Sequence, residues 1–386
     1  MGKKRSFFNR YRLDFRLIRD IDKGLLLSMI SIVLFGVLNI YLATKGSSTP
    51  FFFAKKQLIW FCISLVVIYF MLAVDYRVIY RYVPIFYWLS IVLLIAVWIP
   101  KIGITVNGAR GWINLGVMKL QPAEVAKFAI ILSLAKHLDE IDCQVNNMKN
   151  LFKIVLIVLL PVALILIQPD MGMGMVCFFI VLGMLFIAGL DKRIIYGGFC
   201  VLLVGVLVLW NSGLILPHQK ARILSFVSTD MDDSSGNGYQ LSQSLIGIGA
   251  GGLTGSSSLS LSPTVSPGYA GTHVPEIQTD FIFAAIGEQW GLAGAIFLLF
   301  LYGVLIVRMV TIARMSDDRF GSLVCIGMVS YFLFAITQNI GMTIGLLPIT
   351  GITLPLVSYG GSSLLTTSVA VGLVLSIGMR RRKIHF

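Results

Sequence analysis

Charge is what this chain has least of. Of its 386 residues only 13% are Asp, Glu, Lys or Arg, about half the share of a typical soluble domain, while 57% are hydrophobic. A water-soluble chain of this length has no way to hide that much apolar surface, which excludes a soluble globular protein. Histidine is nearly absent: His137, His218, His273 and His385 lie too far apart in sequence to indicate a His-rich metal site. The five cysteines (Cys62, Cys143, Cys177, Cys200, Cys325) show neither a disulfide framework nor metal-ligand spacing, and are expected to be buried free thiols. The chain has no P-loop, no Ser/His/Asp arrangement, no repeat of fixed period, and no Ala-x-Ala cleavage site behind its first apolar run.

What it has is long apolar runs. Ten, near 24–43, 57–75, 82–99, 121–138, 152–168, 172–190, 194–214, 279–307, 320–344 and 358–379, are of a length to cross a bilayer. The net charge of +13 follows this pattern and does not indicate a nucleic-acid partner. With the N-terminus inside, 22 of the 31 Lys and Arg fall in the inner segments. The expected fold is an all-α membrane protein of ten transmembrane helices with both termini cytoplasmic. Residues 1–23 form a basic cytoplasmic segment, 24–379 a single membrane domain, and 380–386 a basic cytoplasmic tail. Attraction between the basic ends and anionic lipid follows from their charge.

Two outer connections are long, and loops of that length usually carry function or are disordered. Residues 100–120 join the third and fourth spans. Residues 215–278, rich in Gly and Ser, form one large extracytoplasmic loop between helices 7 and 8, in which 238–249 is expected to dock as a short helix and 256–266 to be flexible.

Polar clusters fall at the outer ends of spans. In Gln121-Pro-Ala-Glu124-Val-Ala-Lys127, Pro122 suits a first helical turn, and Glu124 and Lys127 pair at i, i+3 either as a structural ion pair or as the lining of a polar cavity. Lys101, Arg110, Trp112 and Lys119 surround a Gly-rich turn, either as anion ligands or as ordinary interfacial cations with a belt Trp. Asp170, in Gln168-Pro-Asp170, is expected to cap the next helix. Leu354-Pro-Leu-Val-Ser358-Tyr-Gly-Gly-Ser-Ser363 permits close backbone approach, for helix packing or for a substrate chain.

Asp280 stands apart. It lies where the long loop enters the eighth span, and acids at membrane depth are functional candidates. A carboxylate there is able to take a proton from a hydroxyl nucleophile, or to cap the helix, a role Thr279 could fill equally well. Glu288, two turns further on, falls on roughly the same face and could pair with a cation or line the cavity.

Taken together the clusters resemble the SEDS family of bacterial membrane glycosyltransferases. The resemblance rests on Asn107-Gly-Ala-Arg with Trp112, Gln121-Pro-Ala-Glu124-Val-Ala-Lys127, Gln168-Pro-Asp170, Gly238-Tyr-Gln with Gln243-Ser244, Pro275-Glu with Thr279-Asp-Phe-Ile-Phe283, and the 350–363 segment, in the family's order from first span to last. Val-Pro-Glu276 and Ile-Gly-Glu288 are more similar to the RodA (elongation) branch than to the FtsW (division) branch. The resemblance implies polymerisation of lipid II into glycan strands at the outer face of the bacterial cytoplasmic membrane, with inversion and release of undecaprenyl pyrophosphate. It implies Asp280 as catalytic residue and Glu124 with Lys127 as a polar pair in a central cavity. Arg110, Trp112, Lys119, Ser358 and Glu288 are further substrate-binding candidates. It also implies a class B penicillin-binding protein (a transpeptidase) as partner, together with other elongation or division proteins; a divalent cation, Mg or Mn, is compatible with the chemistry. Three positions depart from the family pattern: Gly111 stands directly before Trp112 where a basic residue is usual, Gln278 where His is common, and the Gly-rich stretch after Gly251, which often carries a Lys or Arg, has none in Gly255-Ser-Ser-Ser. A lipid II flippase and a non-catalytic scaffold for the transpeptidase are the competing readings.

Overall fold

The structure is a computed structural model describing residues 20–45, 51–100, 102–106, 109–116, 119–200, 236–256 and 268–380. Most of the basic N-terminal segment, Lys101, Asn107 and Gly108, half of the 215–278 loop (215–235 and 257–267, which hold all of the 256–266 stretch but Ser256), and the tail beyond Arg380 lie outside them.

The helices are α1 (Lys23–Thr44), α2 (Phe52–Ala73), α3 (Tyr76–Ala96), α4 (Pro122–Glu140), α5 (Met148–Ile167), α6 (Met171–Ile187), α7 (Asn237–Gly251), α8 (Tyr269–His273), α9 (Ile282–Met315), α10 (Arg319–Thr343) and α11 (Gly361–Met379). Helices occupy nine of the ten stretches read as spans. The remaining one, 194–214, is helical from 192 to 200 and otherwise lies outside the described residues. Seven helices (α1, α2, α3, α5, α9, α10 and α11) are long and apolar enough to cross a membrane, and α6 is a shorter apolar helix. Their starts are written in short polar side chains: Asp22, Asp75, Asn147, Asp170 and Asp318 each accept an N–H of the first turn. Asp22, 3% exposed, also receives a two-pronged bond from Arg308 of α9, tying the ends of two spans together.

The all-α expectation needs correction between α3 and α4. Strands β1 (Gly103–Val106), β2 (Ala109–Asn114) and β3 (Lys119–Leu120) form an antiparallel sheet in which Ile104 faces Trp112 and Asn114 faces Lys119. The reason is local: neighbouring extended stretches pair their own backbone groups, which a loop beside a membrane must otherwise leave to water.

The eighth span also departs from one continuous helix. α9 breaks at Gly291 (φ 61°, ψ −157°), and the freed N–H groups of Leu292 and Ala293 donate to the carbonyls of Gly252 and Leu253 at 3.0 and 3.1 Å. The segment after α7 thus substitutes for the missing helical turn, and α7 is the short helix expected in the long loop. α10 and α11 are the most buried spans and form the centre, whereas α3 and α5 present broad apolar faces outward. The cysteines are all free, but Cys62 and Cys200 are exposed, because outward helix faces carry apolar side chains too. Burial pushes the Cys143 thiol, in the turn after α4, above its ordinary range, which makes it a poor nucleophile.

Candidate active site

Asp280 is half-buried in the turn that leads into α9, whose capping position is the next residue, Phe281. The turn is held from three directions. The Asn339 side chain of α10 donates to the Asp280 carbonyl at 2.8 Å. The Ser358 hydroxyl donates to the Thr279 carbonyl, and the Tyr359 N–H to the Gln278 carbonyl at 2.8 Å. Gly351, at φ +73°, faces the carboxylate: a β carbon built there lies 3.5 Å from Asp280 Oδ2. Thr279 turns its hydroxyl back to the Glu276 carbonyl at 3.0 Å. Glu276 (φ 52°) and Leu356 (φ 68°) take left-handed backbone on either side of this junction, a conformation that persists in such residues only where surrounding structure enforces it.

The loop carrying Ser358 is anchored in turn. Its Leu354 N–H donates to Ser358 Oγ at 2.8 Å, and the Pro355 carbonyl accepts from Tyr302. Gln57 of α2, 1% exposed, donates to the Ser358 carbonyl at 3.0 Å and accepts the Gly360 N–H at 3.2 Å. Gln57 and Asn339 were not among the expected residues. Both are amides inside apolar runs, and that burial of a polar group was the available signal.

The expected ion pair is present and is tied to α11, the helix that follows the same loop. Lys127 Nζ lies 2.7 Å from Glu124 Oε2, with the side chains 1% and 6% exposed. Thr366 of α11 donates to the same carboxylate oxygen at 2.9 Å, and the ammonium lies 3.8 Å from the centre of the Tyr331 ring. The first two turns of α11 therefore join this pair to the Ser358 loop. Asp170 caps α6 through the Met173 N–H, as expected, and its other oxygen accepts from Gln121 at 2.9 Å, directly before α4.

The first-loop residues are placed on the sheet. Arg110 donates to the Trp98 carbonyl at 3.3 Å with its guanidinium 5.9 Å from the Trp98 ring, Trp112 is half-buried, and Lys119 is exposed. Glu288 is 3% exposed, and its two oxygens accept the N–H groups of Tyr269 and Ala270 at 2.6 and 2.7 Å. It thus anchors the start of α8 through backbone groups rather than through a cation. Among the described residues no three His, Cys, Asp or Glu side chains converge.

The family profile for FtsW, RodA and SpoVE, described as "Cell cycle protein", matches residues 21–383. Stage V sporulation protein E of Bacillus subtilis is 36% identical over 372 residues, covering 94% of this chain and 99% of its own. The chain belongs to the SEDS (FtsW/RodA/SpoVE) family. Peptidoglycan glycosyltransferase MrdB of Escherichia coli is 32% identical over 381 residues, covering 98% of this chain and 97% of its own. Among solved structures, a chain described under "Structural coordination of polymerization and crosslinking by a peptidoglycan synthase complex" aligns at TM-score 0.79 and 29% identity, covering 93% of this chain and 97% of that one. The crystal structure of rod shape determining protein RodA of Thermus thermophilus aligns at TM-score 0.69 and 28% identity, covering 94% and 98%. This SEDS protein is accordingly a multi-pass membrane protein. Its departures from the family pattern acquire local context: Gln278 donates to Glu276 Oε2 at 3.3 Å, and Gly255 sits at φ +93° where a β carbon would fall 2.1 Å from the Gln289 carbonyl.

Proposed function

We propose that this chain is a peptidoglycan glycosyltransferase that polymerises lipid II into glycan strands at the outer face of the bacterial cytoplasmic membrane, in cell elongation and shape. The observation that carries the reading is the Asp280 turn: a half-buried carboxylate whose backbone is fixed by Asn339 and Ser358, the latter on the loop that leads into α11, whose Thr366 holds the buried Glu124–Lys127 pair. The names of FtsW and MrdB relatives support it, and the RodA neighbours favour the elongation branch. The proposed topology of ten spans with both termini cytoplasmic, supported by the bias of Lys and Arg toward the inner segments, puts Asp280 on the outer side.

In the proposed reaction the acceptor sugar's 4-hydroxyl attacks the donor's anomeric carbon while Asp280 takes its proton. The bond to pyrophosphate breaks with inversion, and undecaprenyl pyrophosphate leaves with the electron pair. A base of this kind contributes about 100-fold or more. The leaving group needs its charge neutralised rather than protonated, a task suited to Lys127, Arg110 and Lys119. A bound Mg or Mn would add to that neutralisation. Trp112 offers a flat surface at the sheet, Ser358 acts through Thr279, and Glu288 keeps the start of α8 in place. A class B penicillin-binding protein that cross-links the strands is the proposed partner, in keeping with the synthase complex to which the fold is similar.

The test is polymerisation of purified lipid II by the detergent-solubilised protein, alone and with its transpeptidase, comparing wild type with Asp280→Ala. Moenomycin-insensitive strands from wild type and a rate at least about 100-fold lower from the variant are expected. Strands from both move the base elsewhere. Strands from neither, with a partner that binds, favour the scaffold or the flippase, and a fluorescent-lipid translocation assay separates those two.

A further inference from the structure

We infer that Asn339 is a positioning residue for Asp280, an inference that rests on the glycosyltransferase reading above. Asn339 is fully buried in α10. Its Nδ2 donates to two main-chain carbonyls from distant parts of the sequence, Asp280 at 2.8 Å and Ile352 at 2.7 Å. Two carbonyl oxygens only accept, so the amide's NH2 end must face them. Its Oδ1 is buried with no donor among the described residues. A buried acceptor without a partner costs stability, so the amide is not explained by packing alone.

The two carbonyls explain what the residue does. One belongs to the residue that carries the carboxylate. The other belongs to the neighbour of Gly351, the glycine that faces that carboxylate. One side chain therefore sets both the base and the wall opposite it. With the Asp280 backbone fixed, the direction of its Cα–Cβ bond is fixed, and the carboxylate is left with side-chain rotation only. Reaction rate is far more sensitive than binding to a displacement of this kind, and a shift of about 1 Å at a reacting group costs on the order of 100-fold.

The experiment uses the full chain in nanodiscs with its transpeptidase, as wild type, Asn339→Ala, Asn339→Ser, Asn339→Asp and Asp280→Ala. It measures kcat and KM for lipid II, lipid II binding, and amide hydrogen exchange. Asn339→Ala is expected to lower kcat between about tenfold and 100-fold while KM and lipid II binding stay within about twofold. Amide exchange should quicken in both 278–284 and 350–354. Asn339→Ser keeps a hydroxyl donor and should fall between Ala and wild type. Asn339→Asp keeps the shape but sets a carboxylate against two carbonyls, and should be no better than Ala. Asp280→Ala should lose activity with wild-type exchange. The Ser and Asp variants decide the matter if Ala does not fold. A folded Ala, Ser or Asp variant with wild-type kcat, or a loss that appears in KM and binding instead, overturns the assignment. Quickened exchange in only one segment also overturns it. Full activity in Asp280→Ala fails the base reading itself and removes the catalytic role of Asn339 with it, while the exchange data still report whether the amide couples the two segments.

Discussion

Ser358 donates its hydroxyl to the carbonyl of Thr279, the residue directly before Asp280, and accepts the Leu354 N–H at 2.8 Å. One hydroxyl therefore joins the loop entering α11 to the turn entering α9. Its low exposure means that water does not readily replace either bond.

Ser358→Ala should lower stability by about 1–3 kcal/mol, since a half-buried carbonyl and a buried N–H lose their partner. Polymerisation should fall about tenfold, with lipid II binding little changed, because the displaced group is the Asp280 backbone. Thermal unfolding in detergent and steady-state kinetics check the two parts separately. Wild-type rates in Ser358→Ala would show that the remaining anchors, Asn339 and Tyr359, suffice.

The Glu124–Lys127 pair predicts a particular pattern of non-additivity. Removing one member of a buried pair leaves an uncompensated charge, at a cost of about 3–5 kcal/mol. Lys127→Met and Glu124→Gln should each destabilise strongly. Lys127→Met should be the worse of the two, because it strands a carboxylate with Thr366 as its described donor. The double variant should lose less than the two single losses together. Both singles should depress polymerisation if the pair lines the substrate cavity. Thermal shift on the four proteins gives the coupling, and a strictly additive result would mean the ions are solvated.

Much of this was readable beforehand, and the residues show why. Apolar runs give the spans because length and hydropathy are local properties. Pro122, Asp170 and the i, i+3 spacing of Glu124 and Lys127 act within one turn of their own helix, so their roles follow from spacing. The sheet has a local signal in Asn107-Gly between β-branched and aromatic residues, but strands this short carry a weak alternation beside apolar runs of 17 residues or more. Glu288 looked like a cavity acid because its partners are backbone N–H groups of Tyr269 and Ala270, which have no sequence signature. Gln57 and Asn339 are uncharged, and their partners lie far along the chain; only the assembled fold brings them to the Asp280 loop.

Glu288→Ala should release the start of α8. The carboxylate accepts two backbone N–H groups, and hydrogen bonds to a charged group contribute about 1.5–3 kcal/mol. Exchange at 268–274 should quicken in the variant while α10 and α11 remain protected. Glu288→Gln keeps an acceptor oxygen and should show a smaller change. Unaltered exchange in Glu288→Ala would mean that α8 is held by packing alone.

The break in α9 supports the last prediction. Gly291 takes φ 61° and ψ −157°, a region that residues with a side chain rarely enter, and a β carbon there would lie 2.5 Å from the Gly255 nitrogen. Gly255 has the reciprocal constraint, pressing on the Gln289 carbonyl at φ +93°. Gly291→Ala and Gly255→Ala should each cost at least about 1–3 kcal/mol from backbone strain, before any steric clash is counted. Each also displaces the 252–256 segment that receives the freed N–H groups of Leu292 and Ala293. Since that displacement is one event, the double variant should lose less than the sum of the two. Thermal unfolding of the two singles and the double tests this. Full additivity would show that the two glycines relieve separate strains and that the 252–256 segment is not the shared support of the broken helix.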